Sequence, residues 1–305
     1  MADGIVVLDK PSGLTSQQAV SQVKRLLGVK KAGHSGSLDP AVTGVLPIFL
    51  GRATRLSGYV TQERKSYAGT VCFGWATDTQ DATGAVVARG DASGLLPDAV
   101  VRAAERLTGD ILQTPPAYSA VKVSGVRSYA LARRGESVAL QPRPIQVHRF
   151  EFVSFAREGD AFCGRFVIEC GKGTYVRTIC HDLGILVGVP AHMSELVRLS
   201  SGPFILGDAV GFDELARLGD KAVLPAWRAV EHLPVVSVAG KQLESVLCGR
   251  PLAGADGTAG GAAPEGADDG DLVRVHAAHS GDLVALYRVS REGTERRLTA
   301  HKVFN

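Results

Sequence analysis

Strand-like stretches outnumber helical ones along this chain. Ile5-Val6-Val7-Leu8 is a short strand-like run. Tyr67 to Trp75 alternates, with Tyr67, Gly69, Val71, Phe73 and Trp75 on one face. Val147 to Phe155 and Phe162 to Cys170 are also strand-like. The second is the cleaner, because Phe162, Gly164, Phe166, Ile168 and Cys170 alternate against polar neighbours. Thr15 to Leu27 has helical period: Thr15 and Gln18 suit a capping box, Val20, Val23 and Leu27 share a face, and Gly28 ends the run. Asp98 to Thr108 is predicted helical. Thr174 to Val187 predicts a helix that buries Ile179, Leu183 and Leu186. Neighbouring strands are joined too briefly for βαβ crossovers. The expected fold is α+β, a mainly antiparallel sheet flanked by helices.

Punctuation in the pattern suggests the organisation. Pro115-Pro116 breaks the chain, and an insertion from Ala117 to Glu136 follows, mixing Tyr118 and Tyr129 with Lys122, Arg127, Arg133 and Arg134. A boundary is expected near Pro234. Beyond it Val235 to Val238, Leu272 to Val275 and Leu283 to Val289 are strand candidates. Ala253 to Gly270 holds six Gly and six Ala and reads as a mobile loop. The chain therefore divides into residues 1–233 and a small β-rich module, 234–305, which suits a length of 305 residues.

Composition narrows the class. No apolar run approaches the ~20 residues of a membrane span, and the amino-terminal residues do not resemble a signal peptide. The five cysteines (72, 163, 170, 180, 248) lack a Cys-x-x-Cys spacing, so free thiols and a cytoplasmic location are expected. The net charge of +3 hides an asymmetry: residues 253–271 carry five acids and no Lys or Arg, which leaves +8 on the rest. A basic body suits a nucleic-acid partner. The Asp/Thr-rich stretch from Asp78 to Gly84 lacks the spacing of a calcium loop and reads as a polar turn. No dinucleotide fingerprint, P-loop or nucleophile elbow occurs. His276 and His279 lack further ligands at metal spacing. Cys180-His181-Asp182 cannot form a relay, because adjacent helical residues diverge, and His181 is expected at the surface.

Candidate chemistry concentrates in Gly33-His34-Ser35-Gly36-Ser37-Leu38-Asp39-Pro40. Glycines let backbone approach a ligand, and Pro40 biases Asp39 away from the α region. The outcome is a carboxylate on a sharply shaped loop beside a histidine. Asp-Pro is equally an ordinary helix start, with Asp as cap.

Further segments join this loop: Leu8-Asp9-Lys10-Pro11-Ser12-Gly13, Thr43-Gly44-Val45-Leu46-Pro47, Lys65-Ser66-Tyr67 and Lys172-Gly173-Thr174-Tyr175-Val176-Arg177. In this order they resemble the TruB family of tRNA pseudouridine synthases, from about residue 4 to about residue 230. The resemblance implies an isomerase that converts one T-loop uridine of tRNA (position 55) to pseudouridine, with no metal and no organic cofactor. It implies that Asp39 is the catalytic acid, as nucleophile or as the base that opens the ribose route. Arg177 would pair with it, and Tyr67 would stack on the uracil and join in proton transfer at C5. His34, Tyr67, Tyr175 and Leu196 would surround the extruded base. On residue pattern alone, Arg177 reads as a surface charge, Tyr67 and Leu196 as core, and His34 as a loop histidine with a backbone partner.

Lys10 is expected to support the loop or meet phosphate. Lys122, Arg127, Arg133 and Arg134 are expected to meet RNA phosphates. Gly-His-Ser-Gly-Ser-Leu-Asp-Pro and Met193-Ser194-Glu195-Leu196 lean toward the guide-RNA-dependent relatives. Leu46-Pro47-Ile48 and the 117–136 insertion look like the stand-alone branch. Val197 stands where that branch often has arginine. The module after 234 resembles a reduced PUA-type RNA-binding domain. The expectation is thus a monomeric, stand-alone tRNA isomerase. The alternatives are a guide-RNA-dependent rRNA synthase subunit and a non-catalytic tRNA-binding protein.

Overall fold

The computed structural model describes residues 3–119, 121–123, 125–132, 134, 140–159, 161–253, 264, 266–292 and 295–304. The first part of the chain carries strands β1 (Gly4–Lys10), β2 (Ala32–His34), β3 (Thr43–Leu50), β4 (Lys65–Phe73), β5 (Trp75–Thr77), β6 (Val86–Arg89) and β7 (Gly109–Gln113). Then come β8 (Lys122–Val123), β9 (Val126–Arg127), β10 (Arg143–Glu158), β11 (Ala161–Cys170), β12 (Ala191–Ser201) and β13 (Phe204–Ile205). The last are β14 (Val235–Val238), β15 (Leu252–Ala253), β16 (Leu272–Ala277), β17 (Leu283–Glu292) and β18 (Glu295–Val303). Helices are α1 (Ser16–Leu26), α2 (Ser57–Gln62), α3 (Pro97–Glu105), α4 (Ser128–Ala132), α5 (Val176–Val187), α6 (Phe212–Leu218) and α7 (Gly240–Leu247).

Among the described residues the main sheet has the order β1-β3-β12-β4-β11-β10-β7, with β2 on β3 and β13 on β12. Only the β3–β12 pairing in it is parallel. This matches the expected mainly antiparallel sheet. The local chemistry explains several elements. Thr15 caps α1 and makes the expected reciprocal box with Gln18, which satisfies two otherwise orphaned amides. Val20 and Val23 are buried, and Gly28, at φ +62°, ends the run. In β1, Val6 and Leu8 join one apolar cluster and Ile5 and Val7 another. Burial on both faces accounts for the unbroken apolar run.

Several expectations are corrected. The strand begun at Tyr67 stops at Phe73: Gly74 adopts φ +126° and Trp75 opens β5. Asp39-Pro40 starts no helix. The Val42 amide donates to the Asp39 carbonyl at 3.0 Å, which closes a turn into β3. Cys72 and Cys163 are not free thiols. They are direct partners in the β4–β11 register and form a disulfide, with Cα atoms 4.2 Å apart. Their 91-residue separation leaves no local spacing to read. Cys170, Cys180 and Cys248 are free. His181 is half-buried rather than at the surface.

Residues after Pro234 form a second sheet, β14-β16-β17-β18-β15, with α7 against it. Leu286 and Phe304 pack into the same apolar cluster as Ile5, Phe49 and Phe204. Arg55 donates to the Val303 carbonyl at 2.6 Å, and Lys302 donates to the Arg55 carbonyl at 3.0 Å. Most of the loop expected at 253–270 lies outside the described residues. Among the described residues, no helix is long and apolar enough to cross a membrane.

Gly44 marks the closest backbone approach behind the Asp39 loop. Its φ is +95°, and a Cβ there would lie 2.3 Å from the Arg198 carbonyl oxygen. Gly44→Ala is expected to lower stability by roughly 3 kcal/mol, since it combines strain with overpacking. A urea unfolding midpoint equal to that of the unsubstituted protein would contradict this packing.

Candidate active site

The Asp39 loop is pinned from below. The Ser16 hydroxyl, in the first turn of α1, accepts from the Leu38 amide at 2.8 Å and donates to the Leu38 carbonyl at 3.1 Å. The Pro40 carbonyl accepts from the Gly13 amide at 2.9 Å and from Lys10 Nζ at 3.2 Å. Leu38 is buried in the main core. Both neighbours of Asp39 are therefore fixed, while its own side chain stays 43% exposed.

Arg177 comes from the first turn of α5 and faces this carboxylate. Its Nε lies 3.3 Å from Asp39 Oδ2, with the arginine side chain only 5% exposed. Two carbonyls grip the rest of the guanidinium: Nη1 donates to Thr79 O at 3.3 Å and Nη2 to Tyr118 O at 2.7 Å. The start of α5 is itself held by Gln113 of β7. Gln113 accepts from the Tyr175 amide at 2.9 Å and donates to the Tyr175 carbonyl at 3.1 Å. The Gln80 side chain accepts from Thr178 at 2.7 Å. The 78–84 segment is the expected polar turn, and Asp81 Oδ1 accepts from Thr79 and Thr83 within it.

One face of the sheet lies against the loop. Tyr67 on β4 is paired with Arg198 on β12, and Gly69 with Leu196. All four lie on the same side, because residues two apart share a face. Tyr67 and Leu196 are buried at the edge of the main core. Arg198 is 1% exposed; its Nε donates to Val45 O at 2.6 Å and its Nη2 to Gly36 O at 3.3 Å. His34 ends β2, and its Nδ1 accepts from the Gly36 amide at 3.2 Å. Tyr175 lies beside Arg177, whose guanidinium carbon is 5.8 Å from the ring centroid.

Electrostatics follow from this partial enclosure. Burial pushes the Asp39 carboxyl above its ordinary value; Arg177 offsets this most, Asp81 pushes further up, and Lys10 pulls down. Burial also raises the Tyr67 phenol, against the pull of Arg198, and lowers the His34 imidazole, as does Arg198 to a smaller degree. At neutral pH Tyr67 is thus an intact phenol and His34 a neutral ring. Among the described residues no group of three or more His, Cys, Asp or Glu could hold a metal ion.

The structure brings Arg177 against Asp39, with Tyr175 beside Arg177, and ties Tyr67 and His34 to the same loop through Arg198 and Gly36, with Leu196 on the Tyr67 face of the sheet. It separates Lys10 from any phosphate role. Lys10 is 0% exposed, and its ammonium donates to the carbonyls of Pro11 at 2.8 Å, Leu14 at 2.8 Å and Pro40 at 3.2 Å. A lysine has three donors, and all three are spent inside the loop. Burial lowers its pKa to about 8, although Asp39 pulls the other way. In the insertion, Lys122 and Arg127 fall on the β8–β9 hairpin and Arg134 is exposed. Arg133 lies outside the described residues.

Ser16, Gln113, Asp81 and Arg198 were not anticipated. Arg198 had a readable signal: a cation two residues from Leu196, at an inward position of a strand. For Lys10 the structure predicts a stability effect. Lys10→Met leaves the Pro11 and Leu14 carbonyls without their donor and the Pro40 carbonyl with the Gly13 amide alone, and is expected to cost roughly 3 kcal/mol. An unchanged urea midpoint would contradict the buried role.

Known proteins resemble this chain over the same residues. A family described as "TruB family pseudouridylate synthase (N terminal domain)" matches residues 24–176, and "tRNA pseudouridylate synthase B C-terminal domain" matches residues 177–226. A tRNA pseudouridine synthase B from Symbiobacterium thermophilum is 49% identical, covering 81% of this chain and 82% of its own. Another from Geobacillus kaustophilus is 44% identical over 82% and 90%. Among solved structures, an H/ACA RNP bound to a substrate RNA containing 2′-deoxyuridine aligns with TM-score 0.72 and 28% identity, over 99% of this chain and 85% of that one. A Cbf5-Nop10-Gar1 complex aligns with TM-score 0.72 and 31% identity, over 99% and 85%. The chain belongs to the TruB family of pseudouridylate synthases.

Proposed function

We propose that this protein isomerises uridine to pseudouridine in tRNA, at the T-loop uridine of position 55. The single observation that carries the reading is the Asp39–Arg177 ion pair, in which Arg177 is buried and Asp39 stays partly exposed. The reaction balances within the substrate. The N1–C1′ bond breaks, a C5–C1′ bond forms, the C5 hydrogen leaves and N1 gains a proton. No oxidant, reductant or hydrolytic water is consumed, so the reading needs no metal and no organic cofactor.

A uridine in a folded loop is out of reach until it leaves the stack. Tyr67 and Tyr175 offer flat faces and Leu196 an apolar one to the extruded base, and His34 takes up the space it leaves. Asp39 acts on the ribose, as nucleophile or as base; either role needs an ionised oxygen, which Arg177 favours. Tyr67, held as a phenol beside Arg198, takes part in the proton transfer at C5. Lys122, Arg127, Arg133 and Arg134 supply phosphate contacts from the insertion, which fix register rather than sequence. The chain functions in this account as residues 1–233, carrying catalysis, and 234–305, a PUA-like module, in a cytoplasmic monomer.

The likeness to H/ACA particles favours one second reading, a synthase that depends on guide RNA. One assay separates the two. The protein alone is expected to release tritium from a [5-³H]uridine-labelled T-arm hairpin, and Asp39→Asn to reduce release at least ~10³-fold while hairpin affinity persists. Release only with guide RNA and partner proteins would favour the second reading. Turnover retained by Asp39→Asn would remove Asp39 from its role.

A further inference from the structure

The insertion expected to meet RNA also touches the catalytic guanidinium. Its root begins at Ala117, and the Tyr118 carbonyl accepts from Arg177 Nη2 at 2.7 Å. That root is closed by the start of α4. Ser128 is 0% exposed, and its hydroxyl donates to the Ala117 carbonyl at 2.6 Å. The Ser128 amide donates to Val121 O at 2.7 Å and the Tyr129 amide to Ser119 O at 3.0 Å. Ser119 is itself buried, and its hydroxyl has no hydrogen-bond partner among the described residues. The β8–β9 hairpin, with Lys122 and Arg127, lies between the two halves of this closure.

We propose that Ser128 is a positioning residue for the isomerisation: it fixes the root of the 117–136 insertion so that the Tyr118 carbonyl orients Arg177 toward Asp39. This rests on the function proposed above. A guanidinium is a rigid plane with donors in fixed directions. Holding Nη1 at Thr79 O and Nη2 at Tyr118 O therefore sets where Nε points. Nε is buried and meets Asp39 at 3.3 Å as an ion pair, without a well-aligned hydrogen bond. A small rotation of the plane changes that contact more than any other, because an ion pair of two enclosed groups depends strongly on distance and direction. Tyr118 O is one of the two points that resist the rotation. The root of the insertion thus braces the proposed catalytic pair through hydrogen bonds to Ala117 and from Arg177.

The test uses the full chain with Ser128→Ala and Ser128→Cys, the latter similar in volume with a weaker donor. Single-turnover tritium release from labelled tRNA is measured across pH, and tRNA affinity separately by filter binding. Ser128→Ala is expected to slow release about tenfold while affinity changes less than about twofold; Ser128→Cys should fall between it and the unsubstituted protein. The pH profile carries the sign. Arg177 lowers the Asp39 pKa, so a loosened Arg177 raises it, and the acidic limb of the rate must move to higher pH. A slowed rate with an unmoved limb, a loss accounted for by affinity, or no loss would each overturn the proposal. Should Ser128→Ala fail to fold, the same rate, affinity and pH measurements on Ser128→Cys decide the question. An unsubstituted protein that releases no tritium would instead defeat the proposed function.

Discussion

One carboxylate, partly withdrawn from water and faced by one guanidinium, sets the terms for the rest of this fold. Burial of Asp39 disfavours the charge that either proposed ribose route needs, and Arg177 is the strongest influence in the other direction. The two arise 138 positions apart in the chain and approach to 3.3 Å. Much of the surrounding structure serves to hold them there. Ser16 and Lys10 immobilise the backbone on either side of Asp39. Gln113 fixes the start of α5, and two carbonyls fix the guanidinium. Local stability is thereby concentrated where the chemistry needs a fixed geometry.

Buried cations recur around the loop, and they act as braces. Lys10, Lys65 and Arg198 are all buried and all bond carbonyls. Burial lowers both lysines to about 8, so each ammonium depends on the carbonyls around it. Arg198 joins β3, the Asp39 loop and, through the paired Tyr67, β4. The positive charge expected on the RNA-facing side is thus divided: part lies on the surface, and part is consumed inside the fold.

Legibility in the sequence follows physical type. Helix α1 was readable because a capping box and a glycine stop carry side-chain signatures, and β11 because one face is buried and the other is not. Strand β12 escaped, since register shifts at Met193/Glu195 and Arg198/Ser200 break its alternation. Strand β3 escaped too: it is apolar on both faces like β1, but Gly44 and Pro47 interrupt its run. The pairing of Asp39 with Arg177 was legible because both are side chains at motif positions, and the structure brings them to 3.3 Å. The site was illegible where backbone carbonyls do the holding, as at Thr79 and Tyr118, because a carbonyl has no letter in the sequence. Lys10 was left open between two roles for a related reason: nothing in a Lys-Pro pair tells an internal brace from a phosphate contact. The Cys72–Cys163 bond depends on register between distant strands, which spacing does not encode.

The most direct test of the central interaction is a ¹³C NMR titration of the Asp39 carboxyl in the unsubstituted protein and in Arg177→Met, with Asp39→Asn used to assign the resonance. Asp39 is predicted to titrate above the ordinary carboxylate value in the first, and higher still in the second, because removing the guanidinium leaves burial unopposed. Identical titration curves in the two proteins would contradict the account, since they would mean that Arg177 does not govern the charge on Asp39.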